Sequence, residues 1–105
     1  MTPRTGTGRR RAVLAEVEAC VCRDRQNTYG EAEDNFADIA SIASTVLADK
    51  LAKPLQALDV AIFMAVVKLA RMRTSPTHKD NFVDLAGYAV CGAGILAAQE
   101  DGANA

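Results

Sequence analysis

The chain has 105 residues, of which 50% are hydrophobic, 24% are charged and 5% are aromatic, and its formal net charge is −1. This length suits one domain with a modest core, and a composition led by alanine with few aromatic residues favours packed helices over sheets. A net charge so close to zero gives the body of the protein no general attraction for nucleic acid, so nucleic acid is not an expected partner.

The apolar runs and the cysteines indicate in which cellular compartment the protein is expected. No apolar run approaches the roughly 20 residues that a membrane helix needs, so we expect no membrane contact. The three cysteines are an odd count in a chain with few loops, and they have no second Cys/His pair to complete a zinc site. Free thiols of this kind are typical of a reducing compartment, and we expect the protein in the cytoplasm.

The first half of the chain predicts a flexible arm and two helices. Residues 1–8, rich in Thr and Gly, are expected to form the arm. Helix one is predicted from Arg9 to Arg25. Thr28 and Glu31 then form a T-x-x-E capping box, which opens a second helix that continues to Lys50.

The second half predicts two more helices and a frayed end. Pro54 suits the first position of helix three, which is expected to end near Arg73. Ser75-Pro76 breaks the chain, because proline pushes its predecessor into an extended conformation. Helix four is predicted from Thr77 to Gln99, and residues 101–105 are expected to be a flexible tail.

Four helices with short connections predict an all-α fold, a compact four-helix bundle in which residues 9–100 form a single domain. The middle of helix three, residues 57–70, is apolar nearly all round, and residues 86–94 of helix four present many small side chains. That is more apolar surface than one small bundle can bury. We therefore expect a homo-oligomer, most simply a two-fold dimer.

Helix two begins with a stripe of carboxylates. Glu31, Asp34 and Asp38 are spaced by three and four residues, so they share one side of the helix. Magnesium takes oxygen ligands, commonly carboxylates together with substrate phosphates, so the stripe is a candidate metal site. The alternative is that Glu31 completes its capping box while the other acids stabilise the positive start of the helix. The sequence leaves both interpretations open.

Helix four carries the strongest single candidate. Asp80 is explained as a capping residue, whereas Asp84 lies a turn further in, between apolar neighbours, where neither a cap nor the helix dipole explains it. A carboxylate on an apolar helix surface needs a cation, a metal or a hydrogen-bond donor as its partner. Asn81 and Tyr88 share the flank of Asp84 and are candidate ligand contacts.

Helix three contributes charges of both signs. Asp59 lies in the middle of an apolar stripe and is interpreted either as a metal ligand contributed by helix three or, preferably, as a member of a structural ion pair. Lys68 and Arg71 are candidate phosphate contacts, because Arg binds phosphate through two donors and Lys acts as a point charge. Their alternative role is a solvated or ion-paired edge.

These residues together resemble a known family. Tyr29-Gly30, Lys68-x-x-Arg71 and the run Asp80-Asn81-x-x-Asp84-x-x-Gly87-Tyr88 resemble a small domain of unknown function found mostly in bacteriophage genomes. The resemblance covers the chain from Arg25 to about Ala98. More distantly, the arrangement is similar to the all-α nucleoside triphosphate pyrophosphohydrolases of the MazG and dimeric dUTPase type, which oligomerise and bind magnesium through two acidic pairs.

The resemblance implies a site. Its first acidic pair is Glu31 with Asp34, or Asp34 with Asp38, and its second is Asn81 with Asp84. Glu31, Asp34, Asp38 and Asp84 would then hold magnesium, with Asp84, Glu31 and Asp34 as catalytic residues and with Lys68, Arg71, Asn81 and Tyr88 on the nucleotide. Two departures stand out: Asn81 replaces an expected Glu, and the segment between the pairs is longer than usual.

Two functions follow from the resemblance. The first is a magnesium-dependent nucleotide phosphohydrolase acting on a nucleoside triphosphate. The second is a phage accessory protein of the same fold that is not an enzyme, and that sequesters a nucleotide or signalling molecule or blocks a host protein. The missing Glu at position 81 favours the second. A phage-encoded protein of either kind is expected in the host cytoplasm.

Overall fold

The computed structural model describes residues 4–24 and 31–103, and the helices predicted from sequence account for the elements in these ranges. Helix α1 spans Gly6–Glu18 and continues as a π-helical segment, Ala19–Asp24. Helix α2 spans Ala32–Val46 and is followed by a short 3₁₀ helix, Ala48–Lys50. Helix α3 spans Ala57–Thr74 and helix α4 spans Lys79–Ala103. No strand occurs within residues 4–24 and 31–103, which confirms the all-α class.

Helix α1 begins three residues earlier than predicted. The hydroxyl oxygen of Thr5 accepts a hydrogen bond from the backbone N–H of Gly8 at 2.9 Å, which is the geometry of a helix N-cap. Residues 6–8 of the predicted flexible arm therefore belong to the helix. At the other end of the chain, α4 runs to Ala103 and so includes the first three residues of the predicted tail.

The start of α2 differs from the prediction in a similar way. Ala32 is its first residue and Glu31 occupies the N-cap position with an extended backbone. The predicted capping partner of Glu31, Thr28, lies outside the described residues, as do Tyr29 and Gly30.

Helix α3 begins at Ala57 rather than at Pro54, and this shift changes the role of Asp59. The Asp59 carboxylate accepts a hydrogen bond from the backbone N–H of Gln56 at 2.8 Å. Asp59 is exposed on the third residue of the helix, where it caps α3, so it is not the buried residue that its apolar neighbours in the sequence suggested. The preceding loop is tied to α2, because the N–H of Leu55 donates to the Ser44 hydroxyl at 2.8 Å.

Helix α3 packs against two other helices. Its contact with α4 is the most extensive between helices, α2 packs against its other side, and α1 packs mainly against α4. The buried cluster draws on three helices and consists of Phe36, Ala40, Val60, Ala61, Cys91 and Ile95. Small residues allow the close approach of α3 and α4, since a Cβ atom on Gly92 would lie 3.6 Å from the Cβ of Ala61.

The assembled helices are flatter than the compact bundle that the sequence predicts. The radius of gyration is 15.9 Å and the principal extents are 51 × 40 × 24 Å. A compact domain of about 100 residues has a radius of gyration of about 13 Å. The 24 Å dimension corresponds to about two helix diameters, so most helices have one side without a protein neighbour. Large apolar side chains are exposed there as a result.

One helix also passes a length-and-composition test for a membrane span. The segment Lys79–Gly102 of α4 has a mean hydropathy of 1.4, and 33% of its most apolar window is buried inside the protein. A single helix of this kind is a weak indication, because the core helix of a soluble protein passes the same test. It is nonetheless an exception to the expectation that no segment is long and apolar enough.

Candidate functional site

The centre of the candidate site is an ion pair between α3 and α4. The ammonium nitrogen of Lys68 lies 2.8 Å from Oδ2 of Asp84, and the two side chains are 11% and 34% exposed. The pair supplies the partner that the position of Asp84 demanded, since a carboxylate among apolar neighbours must be compensated. We call it the charged pair. It is formed by residues that the sequence analysis had assigned to two different roles, metal binding and phosphate binding.

Asn81 and Tyr88 lie on the same side of α4 as Asp84, as their spacing predicts. Asn81 is buried, and its amide nitrogen lies 3.4 Å from the carbonyl oxygen of Ser75, to which it donates a long hydrogen bond across the turn between α3 and α4. Tyr88 is partly buried against the core, with its ring centroid 6.2 Å from that of Phe36. Asn81 therefore fastens the turn, and Tyr88 belongs in part to the core.

Arg71 is exposed and lies one turn after Lys68 on α3. A spacing of three residues places the two cations on neighbouring positions of the same side. A ligand that reaches the charged pair can therefore also reach the Arg71 guanidinium.

In the structure, Asp34 and Asp38 of the predicted acidic stripe lie on the solvent side of α2. Asp34 and Asp38 are both exposed, whereas Phe36, midway between them, is buried. A two-residue step turns an α-helix by about 200°, so the two carboxylates lie roughly opposite the core. Asp34 and Asp38 therefore do not face Asp84.

Glu33, which is not part of the predicted acidic stripe, is an acid of α2 that faces α4. Its Oε1 lies 3.2 Å from the position that a Cβ atom on Gly94 would occupy. Glu33 precedes the buried residues Phe36 and Ala40 by three and seven positions, which is the spacing of one helix side. That spacing was a signal available in the sequence, hidden because Glu31, Asp34 and Asp38 form a regular stripe of their own.

Glu31 and Glu33 border a cavity of about 220 Å³ between the π-helical segment, the start of α2, and α4. We call it the acidic cavity. Its other lining residues are mostly small or apolar: Val21, Cys22, Ala32, Val90, Cys91 and Gly94. The start of α2 therefore approaches α4 near Gly94, ten residues after Asp84, and not at Asp84 itself.

The predicted metal ligands and the two carboxylates of the acidic cavity differ in how well they suit magnesium. Within residues 4–24 and 31–103, no three His, Cys, Asp or Glu side chains come together as a metal-binding group, so the predicted set of Glu31, Asp34, Asp38 and Asp84 is not assembled there. Two carboxylates at the acidic cavity do suit magnesium, which is commonly held by one or two carboxylates plus substrate phosphates. Magnesium binding stays a prediction.

The other charged residues near the start of α4 have local roles. Lys79 donates to the Glu16 carboxylate at 2.7 Å, which ties α4 to α1. His78 and Asp80 are exposed, with 3.9 Å between the imidazole and the carboxylate.

Fold and site together define a small all-helical domain with a little-exposed charged pair across its two most extensively packed helices. The chain belongs to the family described as Domain of unknown function (DUF6378), whose profile matches residues 12–96. The expected resemblance to a domain of unknown function is thereby confirmed.

Two curated relatives come from bacteriophages, in agreement with the expected phage type. The chain is 36% identical over 80 residues to the Gene 55 protein of Mycobacterium phage D29, covering 76% of this chain and 50% of the relative. It is 33% identical over 78 residues to the Gene 55 protein of Mycobacterium phage L5, covering 74% and 48%. The chain thus spans about half the length of these relatives. No solved structure gives a significant match.

Proposed function

We propose that this domain binds a nucleotide or a related phosphate-bearing molecule at the junction of α3 and α4. The observation that carries the proposal is the charged pair, in which the Lys68 side chain, only 11% exposed, lies against the Asp84 side chain, which is 34% exposed. A cation withdrawn from water is costly unless it is paired, and the pairing with Asp84 holds Lys68 in place for a ligand anion.

The roles of the individual side chains follow from their exposure. Lys68 supplies a point charge to a phosphate oxygen, and Asp84 positions it. Arg71, which is exposed on the next turn, supplies the donors that suit a phosphate in a bidentate contact. Asn81 keeps the turn between the helices in shape, and Tyr88 borders the ligand from α4.

A finer proposal adds magnesium-dependent hydrolysis of a nucleoside triphosphate to pyrophosphate. It draws support from the similarity to the MazG type and from the two carboxylates at the acidic cavity, Glu31 and Glu33. Bound magnesium would neutralise charge developing on a phosphoanhydride. The chain's own part would be to hold the cation with Glu31 and Glu33, because Asp34, Asp38 and Asp84, the other ligands predicted from the sequence, are not assembled with them within residues 4–24 and 31–103.

The second candidate is a binding protein that is not an enzyme. Its specific support is that both residues of the second predicted acidic pair are engaged within the protein: Asp84 with Lys68 and Asn81 with the Ser75 carbonyl. Such a protein sequesters a nucleotide or signalling molecule, or blocks a host protein, without turnover.

The experiment measures ligand-induced thermal stabilisation and pyrophosphate release across a panel of nucleotides, with and without magnesium. A ligand that binds only the folded state raises the free energy of unfolding by an amount set by its concentration and Kd, about 2.7 kcal/mol at 100 times Kd, and the melting temperature rises with it. We expect stabilisation by at least one nucleotide. Product release identifies the enzyme, and stabilisation without product identifies the binding protein.

Two variants link any signal to the site. Arg71→Ala removes an exposed cation, so it should leave the fold intact while weakening nucleotide binding by about tenfold. Arg23→Ala is the matched control, since Arg23 is also exposed but lies in the π-helical segment. Absence of both stabilisation and turnover with every nucleotide, or equal effects of the two substitutions, would contradict the proposal.

A further inference from the structure

The outward, solvent-exposed side of α3 forms an apolar ridge. Ile62, Phe63, Val66 and Leu69 project from it and are between 51% and 65% exposed. The opposite side of the same helix carries Ala61 and Lys68, which face α4. We call these four residues the α3 ridge. Monomeric proteins rarely leave such a contiguous apolar surface open to water.

Two apolar grooves flank the α3 ridge and extend it sideways. One, of about 320 Å³, lies between α2 and α3 and is lined by Ile39 and Phe63 among others. The other, of about 330 Å³, lies between α3 and α4 and is lined by Ile62 and Leu96. The apolar surface therefore crosses three helices of the flat domain.

The ridge has a negative charge at one end and a positive charge at the other, each seven residues from Val66. Asp59 precedes Val66 by seven residues and Arg73 follows it by seven, and both are exposed. With Ile62 and Leu69, these positions repeat at alternating spacings of three and four residues, which is the pattern of a helix-pairing seam. Seven residues rise about 10.5 Å along a helix, so each charge stands about that far from the centre.

We propose that the α3 ridge pairs antiparallel with the same ridge of a second copy of this chain, about a two-fold axis near Val66. In that arrangement Asp59 of each copy faces Arg73 of the other, so two ion pairs close the ends of an apolar seam. A parallel arrangement would place Asp59 against Asp59 and Arg73 against Arg73, which is repulsive. The hydrogen bond from Gln56 to Oδ2 leaves acceptor capacity on the Asp59 carboxylate for this contact.

The available area matches what a dimer needs. Seven large apolar side chains of the α3 ridge and its two grooves are exposed: Ile39, Leu47, Ile62, Phe63, Val66, Leu69 and Leu96. At on the order of 100 Å² each they supply about 700 Å², close to the roughly 800 Å² that each partner buries in a standard interface. The second copy also accounts for the flat shape, because it covers the side of the domain that the chain leaves open.

The test is sedimentation velocity of the full chain over a range of micromolar concentrations. We expect a dimer for the wild type. Val66→Glu places two carboxylates at the axis and should weaken dimerisation by at least a hundredfold. Leu14→Glu is the matched control, because Leu14 is also an exposed apolar residue but lies on α1, and it should leave the dimer intact. Circular dichroism of each variant verifies that the helices are retained.

Charge substitutions test the antiparallel direction. Arg73→Asp should weaken the dimer by about tenfold, and the double substitution Asp59→Arg/Arg73→Asp should recover most of the loss. A wild type that stays monomeric at all concentrations overturns the proposal, as does a dimer equally sensitive to Leu14→Glu and Val66→Glu. A monomer that instead co-sediments with phosphatidylcholine vesicles would assign the ridge to a membrane and also overturn it.

Discussion

At the scale of single residues, the sequence showed that Asp84 needs a partner, but it did not show which residue that partner is. Its location between Phe82, Val83 and Leu85 showed that it needed compensation. Only the packing of α3 on α4 shows that the compensation comes from Lys68, because the two residues are sixteen apart in the chain. The same packing engages Asn81 with the Ser75 carbonyl.

The charged pair should respond to substitution as a unit. Lys68→Met leaves the partly buried Asp84 carboxylate without its cation and should lower the free energy of unfolding by about 1–2 kcal/mol, less than for a fully buried pair because Asp84 is about a third exposed. The double substitution Lys68→Met/Asp84→Leu removes both charges and should be close to the wild type in stability. Urea denaturation of the three proteins measures this.

The double substitution also separates structure from function. If the charged pair serves ligand binding, the double variant keeps its stability and loses the nucleotide-induced rise in melting temperature. A double variant that is less stable than Lys68→Met alone would show that the pair does not behave as a compensated unit, and full retention of nucleotide binding would assign it a structural role only.

At the scale of helices, the sequence located the four α-helices found in residues 4–24 and 31–103 and missed their ends by a few residues. The start of α3 shows why. Pro54 suits the first position of a helix, yet the Leu55 N–H is held by the Ser44 hydroxyl of α2, and Asp59 caps the chain at Gln56. A hydrogen bond to another helix thus competes with the local signal and delays the start of α3 to Ala57.

The contact of α3 with α4 predicts that two substitutions of Gly92 have opposite effects on the stability of the protein. A Cβ atom there would meet the Ala61 Cβ at 3.6 Å and a methyl of Leu58 at 3.8 Å, which are ordinary contacts. Gly92→Ala should therefore stabilise the protein by up to about 1 kcal/mol through helix propensity. Gly92→Val adds two methyl groups that must push α3 away and should destabilise it by about 1–3 kcal/mol.

Thermal unfolding of both Gly92 variants measures the effect. Gly102→Ala is the control, because a Cβ atom at Gly102 has nothing within 4 Å. Destabilisation by Gly92→Ala comparable to that by Gly92→Val would mean that α3 and α4 approach more closely than the structure describes.

At the scale of the whole molecule, an excess of apolar surface was apparent in the sequence, and its location was not. The apolar middle of helix three predicted self-association. The structure places the excess on one side of a flat arrangement only 24 Å thick, centred on the α3 ridge. That location turns a general expectation of oligomers into a specific antiparallel pairing.

Dimerisation through the α3 ridge also predicts a concentration-dependent stability. Because association favours the folded state by mass action, the melting temperature should rise with protein concentration for the wild type. Val66→Glu should abolish that dependence, and Leu14→Glu should preserve it. Differential scanning calorimetry over a hundredfold concentration range tests this, and a melting temperature independent of concentration in the wild type would contradict it.

The sequence by itself determined the all-helical class, the four α-helices, the family to which the chain belongs and the candidates Asp84 and Lys68, because each depends on local spacing or on composition. The tertiary structure decided which charges meet. It paired Asp84 with Lys68, turned Asp34 and Asp38 away from α4, and brought Glu33 to Gly94 in their place. The pairing of Asp84 with Lys68 depends on how α3 and α4 pack to bury Val60 and Cys91, and local spacing carries no information on that packing, whereas the spacing of Glu33 to Phe36 was visible in the sequence.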